Sequence, residues 1–356
     1  MGEIRLMKGN EAIAEAAIRA GVDAYFGYPI TPQSEVIEYL AEQRPEKRTG
    51  MVVLQAESEV AAINMVYGAA ATGKKAMTSS SSPGISLKME GISYIAGAEL
   101  PCLVVNVVRG GPGLGTIQPS QSDYFQATKG GGHGDYHLIV LAPASVQEMA
   151  DFVKLAFDLA IKYRNPAMIL SDGLIGQMME KVEFSEQLPR ATEFDESWSI
   201  TGKTSGRKKN VVTSLEMDSH KMRDKNLHMI EKYKKLEKNE VRYEEVQCDD
   251  ADYLLVAYGS SARICLKTIQ IARKQNIKVG LLRPITLFPF PKEILKTYAK
   301  KVKAMLSVEL SAGQLVEDVR LAVNGEVPVE HYGTMGGMIH TPDEVFQALK
   351  DNFINK

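Results

Sequence analysis

The sequence is poor in the features that mark disulfide-rich, cluster-binding, membrane and nucleic-acid-binding proteins. It has three cysteines in 356 residues, none in a CxxC pair, and their spacing fits no zinc or iron–sulfur motif. Its 42 basic and 44 acidic residues nearly balance, so no electrostatic attraction to nucleic acid or to an acidic membrane is expected. No run approaches 18 uninterrupted apolar residues, and no signal peptide is indicated. A cytoplasmic protein is expected.

Short apolar segments alternate with segments of helical spacing along most of the chain, which predicts α/β domains built on parallel sheets. Predicted strands lie at 22–28, 51–54, 76–79, 103–108, 138–142 and 167–170, and again at 253–257, 279–282 and 304–308. The predicted helices include 59–72, 85–97, 146–163, 220–237 and 342–349. Composition becomes polar and rich in Lys and Glu near residue 185. The predicted organisation is therefore a first domain over 1–185, a polar linker or insert with one surface helix over 186–250, and a second domain over 251–356.

Three motifs of the first domain follow predicted strands, at the edge of the sheet where ligands of α/β proteins gather. They are YPITP at 28–32, the helix start at 57–59, and RGGPG at 109–113. Taken singly, each has an ordinary structural explanation: Thr31 could make a tight turn, Glu59 could favour a helix dipole, and Arg109 could be a surface cation. Their joint placement favours a site with a hydroxyl, a carboxylate and a guanidinium facing one crevice.

The order of these motifs resembles the alpha-type, pyrimidine-binding subunit of 2-oxoacid:ferredoxin oxidoreductases, and within that family the 2-oxoisovalerate type. The matching segments are YPITP, QAESEVAAINMVYGAA, TSSSSPGISL and VVNVVRGGPGLGT, and the likeness covers nearly the whole chain. The C-terminal segments AYGS and LRPITLFPF are similar to the family's transketolase-C-terminal-like domain. The resemblance implies an α/β fold with a thiamine-diphosphate pyrimidine-binding domain followed by a transketolase-C-terminal-like domain.

The resemblance also implies roles for individual residues. Glu59 matches the glutamate that hydrogen-bonds N1′ of the thiamine aminopyrimidine; its spacing to Gly68 fits the family better than that of Glu57. A carboxylate there favours the tautomer whose 4′-nitrogen takes the C2 proton. Thr31 and Arg109 match positions that hold the 2-oxoacid carboxylate. The remaining residues expected to line the cofactor site are Tyr28, Pro29 and Ile30.

The chain lacks the Gly-Asp-Gly motif with which family partners bind Mg²⁺ and the cofactor diphosphate. Its nearest imitation is Ser171-Asp172-Gly173, and the next asparagine, Asn210, lies 38 residues past Asp172 (210 − 172). The resemblance therefore implies thiamine diphosphate shared with a beta-type, Mg²⁺-binding partner, with iron–sulfur clusters on gamma-type and ferredoxin-like subunits, and with CoA and ferredoxin as further partners. A self-contained transketolase-like enzyme is disfavoured by the missing motif; a non-catalytic assembly subunit stays an alternative.

The loop after Arg109 bears on the substrate. Residues 110–128 contain no Lys, Arg or His, whereas Leu114 and Ile117 could line an apolar pocket. A branched-chain acid such as 2-oxoisovalerate is therefore expected rather than the dicarboxylate 2-oxoglutarate, whose second charge needs a partner. That alternative stays open, because Lys129, His133 or a partner subunit could supply a cation.

Overall fold

A computed structural model describes residues 3–184, 187, 195, 197–202, 206 and 208–355. Within these residues strands and helices alternate as predicted, in fourteen strands and thirteen α-helices. No helix in this part of the chain is long and apolar enough to cross a membrane.

The strands are β1 (Glu3–Lys8), β2 (Ala24–Gly27), β3 (Val52–Gln55), β4 (Ala76–Ser80), β5 (Leu103–Val108), β6 (Ile139–Leu141), β7 (Ala167–Asp172), β8 (Met179–Phe184), β9 (Tyr243–Val246), β10 (Tyr253–Val256), β11 (Val279–Pro284), β12 (Thr286–Phe288), β13 (Ala304–Glu309) and β14 (Val329–Gly333). The helices are α1 (Gly9–Arg19), α2 (Ser34–Gln43), α3 (Pro45–Arg48), α4 (Glu59–Ala71), α5 (Ser82–Gly97), α6 (Tyr124–Thr128), α7 (Val146–Tyr163), α8 (Gly173–Gln177), α9 (Ser219–Asn239), α10 (Gly259–Lys274), α11 (Lys292–Ala299), α12 (Leu315–Val323) and α13 (Pro342–Leu349). A π-helical turn, Lys350–Ile354, follows α13.

Seven strands form the larger sheet, in the order β12-β6-β7-β5-β4-β2-β3. Six of them run parallel, and β12 pairs antiparallel with β6. The central strand β5 is buried at every residue and rich in Leu and Val, as a parallel strand covered on both faces requires. The chain passes from β2 to β3 on one side and then to β4 on the other. The strand order therefore reverses beside β2, where α/β sheets open a ligand crevice at their carboxyl end.

The second sheet has five strands in the order β14-β13-β10-β11-β9, with β9 antiparallel to β11. Helices α10 and α13 pack together against it around a separate apolar core. The predicted second α/β unit is thus present, with an added edge strand from the polar segment that precedes it.

Segment 186–250 contains packed elements where it is described. Helix α9, predicted at 220–237, buries Met229, Tyr233 and Leu236, and its Lys232 Nζ lies 3.0 Å from Glu99 Oε1 of the first domain. The composition-based boundaries at 185 and 250 stay a prediction, but both α9 and β9 are integrated into the fold.

Buried polar contacts join the two domains next to the predicted site. Gln121 donates to the Tyr258 carbonyl at 2.9 Å and accepts from the Leu310 amide at 2.9 Å. Tyr124 donates to Asp318 at 2.6 Å. The loop that follows Arg109 is therefore anchored to the second domain at its far end.

Candidate active site

Four neighbouring strands of the larger sheet end at the same edge, and each leads into a segment singled out by its sequence. Strand β2 leads to YPITP at 28–32, β3 to Glu59, β4 to the serine-rich turn at 80–82, and β5 to Arg109. The predicted crevice is thus assembled from four loops at the carboxyl ends of parallel strands.

Glu59 is the first residue of α4 and is 7% exposed. The helix begins there because Ser58 caps it, accepting the Ala61 amide at 3.2 Å. A carboxylate in the first helical turn is favoured by the helix dipole. Glu57 is exposed instead. Burial and position thus distinguish the two glutamates, and the role of Glu59 stays a prediction.

The Glu59 carboxylate packs directly on the backbone of Gly84, near the start of α5. A Cβ at Gly84 would lie 2.7 Å from Glu59 Oε1 and 2.1 Å from Ser80 Oγ. The Ser80 and Ser81 hydroxyls are buried and have no hydrogen-bond partner in the part of the chain that the structure describes. Among the described residues none hydrogen-bonds to the Glu59 carboxylate. This corner therefore offers one acceptor and two unpaired hydroxyls, the polar groups that a nitrogen heterocycle would need.

Thr31 and Arg109 lie against each other. The Arg109 guanidinium donates to the Thr31 carbonyl at 3.0 Å and to the Leu114 carbonyl at 2.9 Å. Its Nε is buried and has no hydrogen-bond partner in the described ranges. A guanidinium carries five donors, so it retains N–H groups for an incoming anion. Thr31 itself is exposed at the crevice.

The predicted residues are linked through the turn between β4 and α5. Ser82 Oγ accepts the Arg109 amide at 3.1 Å, and Gly84, two residues later, touches Glu59. The structure thus brings Thr31 and Arg109 into contact and places Glu59 on the other side of the same turn.

Tyr28, Pro29 and Ile30 are partly buried beside this turn. A buried chain of hydroxyl and amide groups supports the segment: Tyr25 and Ser79 lie 2.7 Å apart, and Ser79 donates to Gln33 at 2.5 Å. Gln33 in turn donates to the Tyr28 carbonyl at 3.3 Å. These supporting residues were not found from the sequence, because their roles arise only when β2 and β4 pair.

A second residue missed from the sequence is Lys88, on the buried face of α5. Its Nζ donates to Thr78 Oγ1 at 2.8 Å and to the Ser79 carbonyl at 3.0 Å. Burial lowers the pKa of Lys88 to about 7, and the attraction of Glu59 opposes that shift. The signal available in the sequence was a lysine inside the apolar stripe of a predicted helix.

The polar contacts of three other candidates are made elsewhere, although Asp172 ends β7 opposite Val108, the residue before Arg109. Asp172 caps α8 and accepts the Ser260 amide at 3.1 Å across the domain interface. Lys129 pairs with Asp318 of the second domain. The His133 carbonyl accepts from Ser93, nine residues along α5 from Gly84 and so about 14 Å away along the helix axis. Through these contacts, Asp172, Lys129 and His133 add no further group to the candidate site.

No cluster of three or more His, Cys, Asp or Glu side chains suited to a metal ion occurs among the described residues. The cysteines are separately buried, and burial raises the pKa of Cys102 to about 12 and that of Cys248 to about 11. Their geometry gives no cradle for an iron–sulfur cluster.

Two protein-family models match the chain. Residues 15–247 match the family described as pyruvate flavodoxin/ferredoxin oxidoreductase, thiamine diP-bdg, and residues 251–345 match pyruvate:ferredoxin oxidoreductase core domain II. Among curated proteins, ketoisovalerate oxidoreductase subunit VorB of Methanothermobacter thermautotrophicus is 49% identical over 347 residues, covering 98% of this chain and 97% of that one.

Two solved structures share the fold. The 2-oxoglutarate:ferredoxin oxidoreductase from Magnetococcus marinus, with 2-oxoglutarate, coenzyme A and succinyl-CoA bound, superposes with a TM-score of 0.84 at 26% identity. That match covers 98% of this chain and 65% of the other, so this chain spans about two thirds of its length. An inactive beta4 tetramer of a split-gene transketolase gives a TM-score of 0.62 at 15% identity over 97% of each chain, a likeness of fold alone.

Proposed function

The chain belongs to the pyruvate flavodoxin/ferredoxin oxidoreductase family as an alpha-type subunit, and we propose that it supplies the pyrimidine half of a thiamine-diphosphate site that oxidises a branched-chain 2-oxoacid. The overall reaction converts a 2-oxoacid anion, CoA and two oxidised ferredoxins into an acyl-CoA, CO₂, two reduced ferredoxins and a proton. When bound, thiamine diphosphate supplies the carbon nucleophile and the electron sink for decarboxylation.

The observation that carries the proposal is the Glu59 corner. A buried carboxylate faces Gly84 and two serine hydroxyls, and none of these polar groups has a hydrogen-bond partner among the described residues. This set fits the aminopyrimidine ring, which presents nitrogen groups along one edge. Glu59 holds a proton at N1′, and the neighbouring hydroxyls orient the ring.

Arg109 and Thr31 bind the substrate carboxylate. The guanidinium is fixed by two backbone carbonyls, one of them that of Thr31, and keeps unused donors. Charge-assisted hydrogen bonds from a pre-positioned guanidinium bind carboxylates strongly, and the exposed Thr31 hydroxyl adds a neutral donor. Glu59, Thr31 and Arg109 together argue against a purely structural assembly subunit, which needs none of them.

A partner subunit is proposed to cover the crevice from the side of α4 and α5. These packed helices expose Val60, which directly follows Glu59, together with Met65 of α4 and Leu87 of α5. Exposed apolar side chains on adjoining helices are typical of an interface. The partner proposed is a beta-type subunit that holds the cofactor diphosphate through Mg²⁺. Iron–sulfur clusters are proposed on further gamma-type and ferredoxin-like subunits. In the described part of this chain no three or more metal-binding side chains lie together, and the cysteines are buried separately.

The proposed substrate is 2-oxoisovalerate or a close branched relative. Beyond Arg109 the loop exposes Leu114 and Ile117, while Lys129, the nearest following cation in sequence, is paired with Asp318. The 49% identical relative is named for ketoisovalerate, whereas the 26% identical solved structure is a 2-oxoglutarate enzyme. The 2-oxoglutarate alternative is therefore less well supported.

The test of the proposal is the turnover of the assembled complex carrying Glu59→Gln. The amide keeps the shape of the side chain but loses the ionised acceptor, so turnover should fall roughly 10²-fold or more. Glu57→Gln is the matched control, since Glu57 is exposed two residues away. Activities are measured with 2-oxoisovalerate, CoA and a viologen acceptor. A fully active Glu59→Gln complex beside an inactive Glu57→Gln complex would refute the assignment.

A further inference from the structure

Lys88 lies on the same face of α5 as Gly84, one turn further along the helix. Residues four apart stack on one face, and helical side chains lean towards the N-terminus. The Lys88 side chain therefore extends towards the turn that the Glu59 carboxylate contacts. Its Nζ reaches the end of β4, donating to Thr78 and Ser79 immediately before Ser80.

The Lys88 amine is fully buried, yet it has no carboxylate within ion-pair distance among the described residues. Its two hydrogen-bond partners, Thr78 and Ser79, are neutral. The charged group whose field acts on it is Glu59, from α4. Burying a charged lysine without an ion-pair partner costs free energy. The interaction of Lys88 with the more distant Glu59 therefore requires an explanation.

We propose that Lys88 is a positioning residue that keeps Glu59 ionised when the partner subunit and the cofactor seal the crevice. The inference rests on the proposed function, because it assigns Glu59 the task of holding a proton at N1′. In this proposal Lys88 contacts neither substrate nor cofactor, and its positive charge acts electrostatically on the Glu59 carboxylate.

Sealing the crevice removes water from Glu59, which favours the neutral acid, and a neutral acid is a poorer acceptor for N1′. A cation nearby opposes that change. Because burial brings the pKa of Lys88 to about 7, its positive charge is most fully present below neutral pH. The amine is held by Thr78 and Ser79 at a fixed distance and so contributes charge without competing with the ring for the carboxylate.

The experiment measures thiamine diphosphate binding to the assembled complex by calorimetry, with Mg²⁺ present, from pH 5 to pH 8. Affinity should fall on acidification, because the hydrogen bond to N1′ needs an ionised acceptor. In Lys88→Met the midpoint of that fall should move upwards by about one pH unit, because an opposing charge has been removed. The acidic limb of kcat/KM should move in parallel. Lys88→Gln, which keeps a donor for Thr78 and Ser79, is a second neutral variant that should behave alike.

Two controls distinguish a positioning role from a structural one. In a Glu59→Gln background, Lys88→Met should leave the midpoint where Glu59→Gln alone puts it. Thr78→Val, which removes one hydrogen bond but keeps the charge, should leave the wild-type midpoint unchanged. An unshifted midpoint in either assembled, folded neutral variant overturns the role of Lys88. That failure is distinct from failure of the proposed function, which would show as full activity in Glu59→Gln.

Discussion

Gly84 determines how closely two side chains of the candidate site can approach the α5 backbone. Glu59 Oε1 and Ser80 Oγ both occupy the space that a Cβ on this residue would fill. Its backbone is not in the left-handed region, so glycine is needed here for proximity and not for conformation. A change at this one position should therefore disturb the site without disturbing the helix.

Gly84→Ala is expected to reduce kcat/KM of the assembled complex by roughly 10²-fold, since a shift of about 1 Å in a catalytic group can cost that much. The loss of folding stability should stay within the about 1–3 kcal/mol of an overpacked buried site, because alanine is the better helix former and the displaced atoms belong to the Glu59 and Ser80 side chains. Gly97→Ala, at the other end of α5, is the control: its nearest new neighbour, Ser214 Cβ, would be at an ordinary 3.4 Å. Full activity of Gly84→Ala would show that the Glu59 corner tolerates displacement.

The sequence identified Glu59, Thr31 and Arg109 as site candidates because each belongs to a short local motif that follows a predicted strand. It did not identify Lys88, Gln33 or the serine hydroxyls, whose surroundings form only when β4 pairs with β2 and β5. A local sequence pattern identifies a site residue when the turn that contains it also determines its position. A residue whose position depends on the pairing of distant strands can be identified only in the folded structure.

At the scale of elements, regular periodicity predicted the long helices and buried strands closely. The helices predicted at 146–163 and 342–349 have those bounds in the structure, and α4 differs from its prediction by one residue. The missed strands are short, exposed or non-local. Strand β1 is largely exposed and pairs with β8, some 170 residues away, and β12 leaves the second domain to join the sheet of the first. These strands are stabilised by pairing with distant strands, which a local sequence pattern does not indicate.

The polar segment before the second domain differs in packing along its length. Residues 211, 215 and 217 are each at least 70% exposed, whereas α9 buries Met229, Tyr233 and Leu236. Proteases cut exposed, irregular backbone first. The first tryptic cut is therefore expected at Lys208 or Lys209, with α9 protected, as judged by mass spectrometry of early fragments. The nicked complex should keep most of its turnover, and an initial cut at Lys232 or Lys235 would contradict this assignment of packing.

At the scale of the whole molecule, the two domains hold the loop that follows Arg109 between them. Gln121 fixes its end to Tyr258 and Leu310, and a Cβ at Gly337 would lie 2.4 Å from Gln118. The second domain also exposes Met335 and Met338 on the segment that packs there. Both domains thus contribute apolar side chains to the surface beyond Arg109. This surface depends on how the domains are arranged and not on a single sequence motif.

This apolar surface determines the expected order of substrates. Values of kcat/KM for the assembled complex should be highest for 2-oxoisovalerate and 2-oxoisocaproate and about 30-fold or more lower for pyruvate, since each of the two methyl groups that pyruvate lacks contributes about 1–3 kcal/mol of binding. For 2-oxoglutarate they should be lower still, because its second carboxylate would be buried without a cation. Ile117→Arg supplies that cation and should raise 2-oxoglutarate relative to 2-oxoisovalerate, whereas Ile117→Gln, of similar polarity but without charge, should not. If wild-type complex uses 2-oxoglutarate best, a cation from a partner subunit must face this loop, and the apolar surface formed by the two domains is not the substrate pocket.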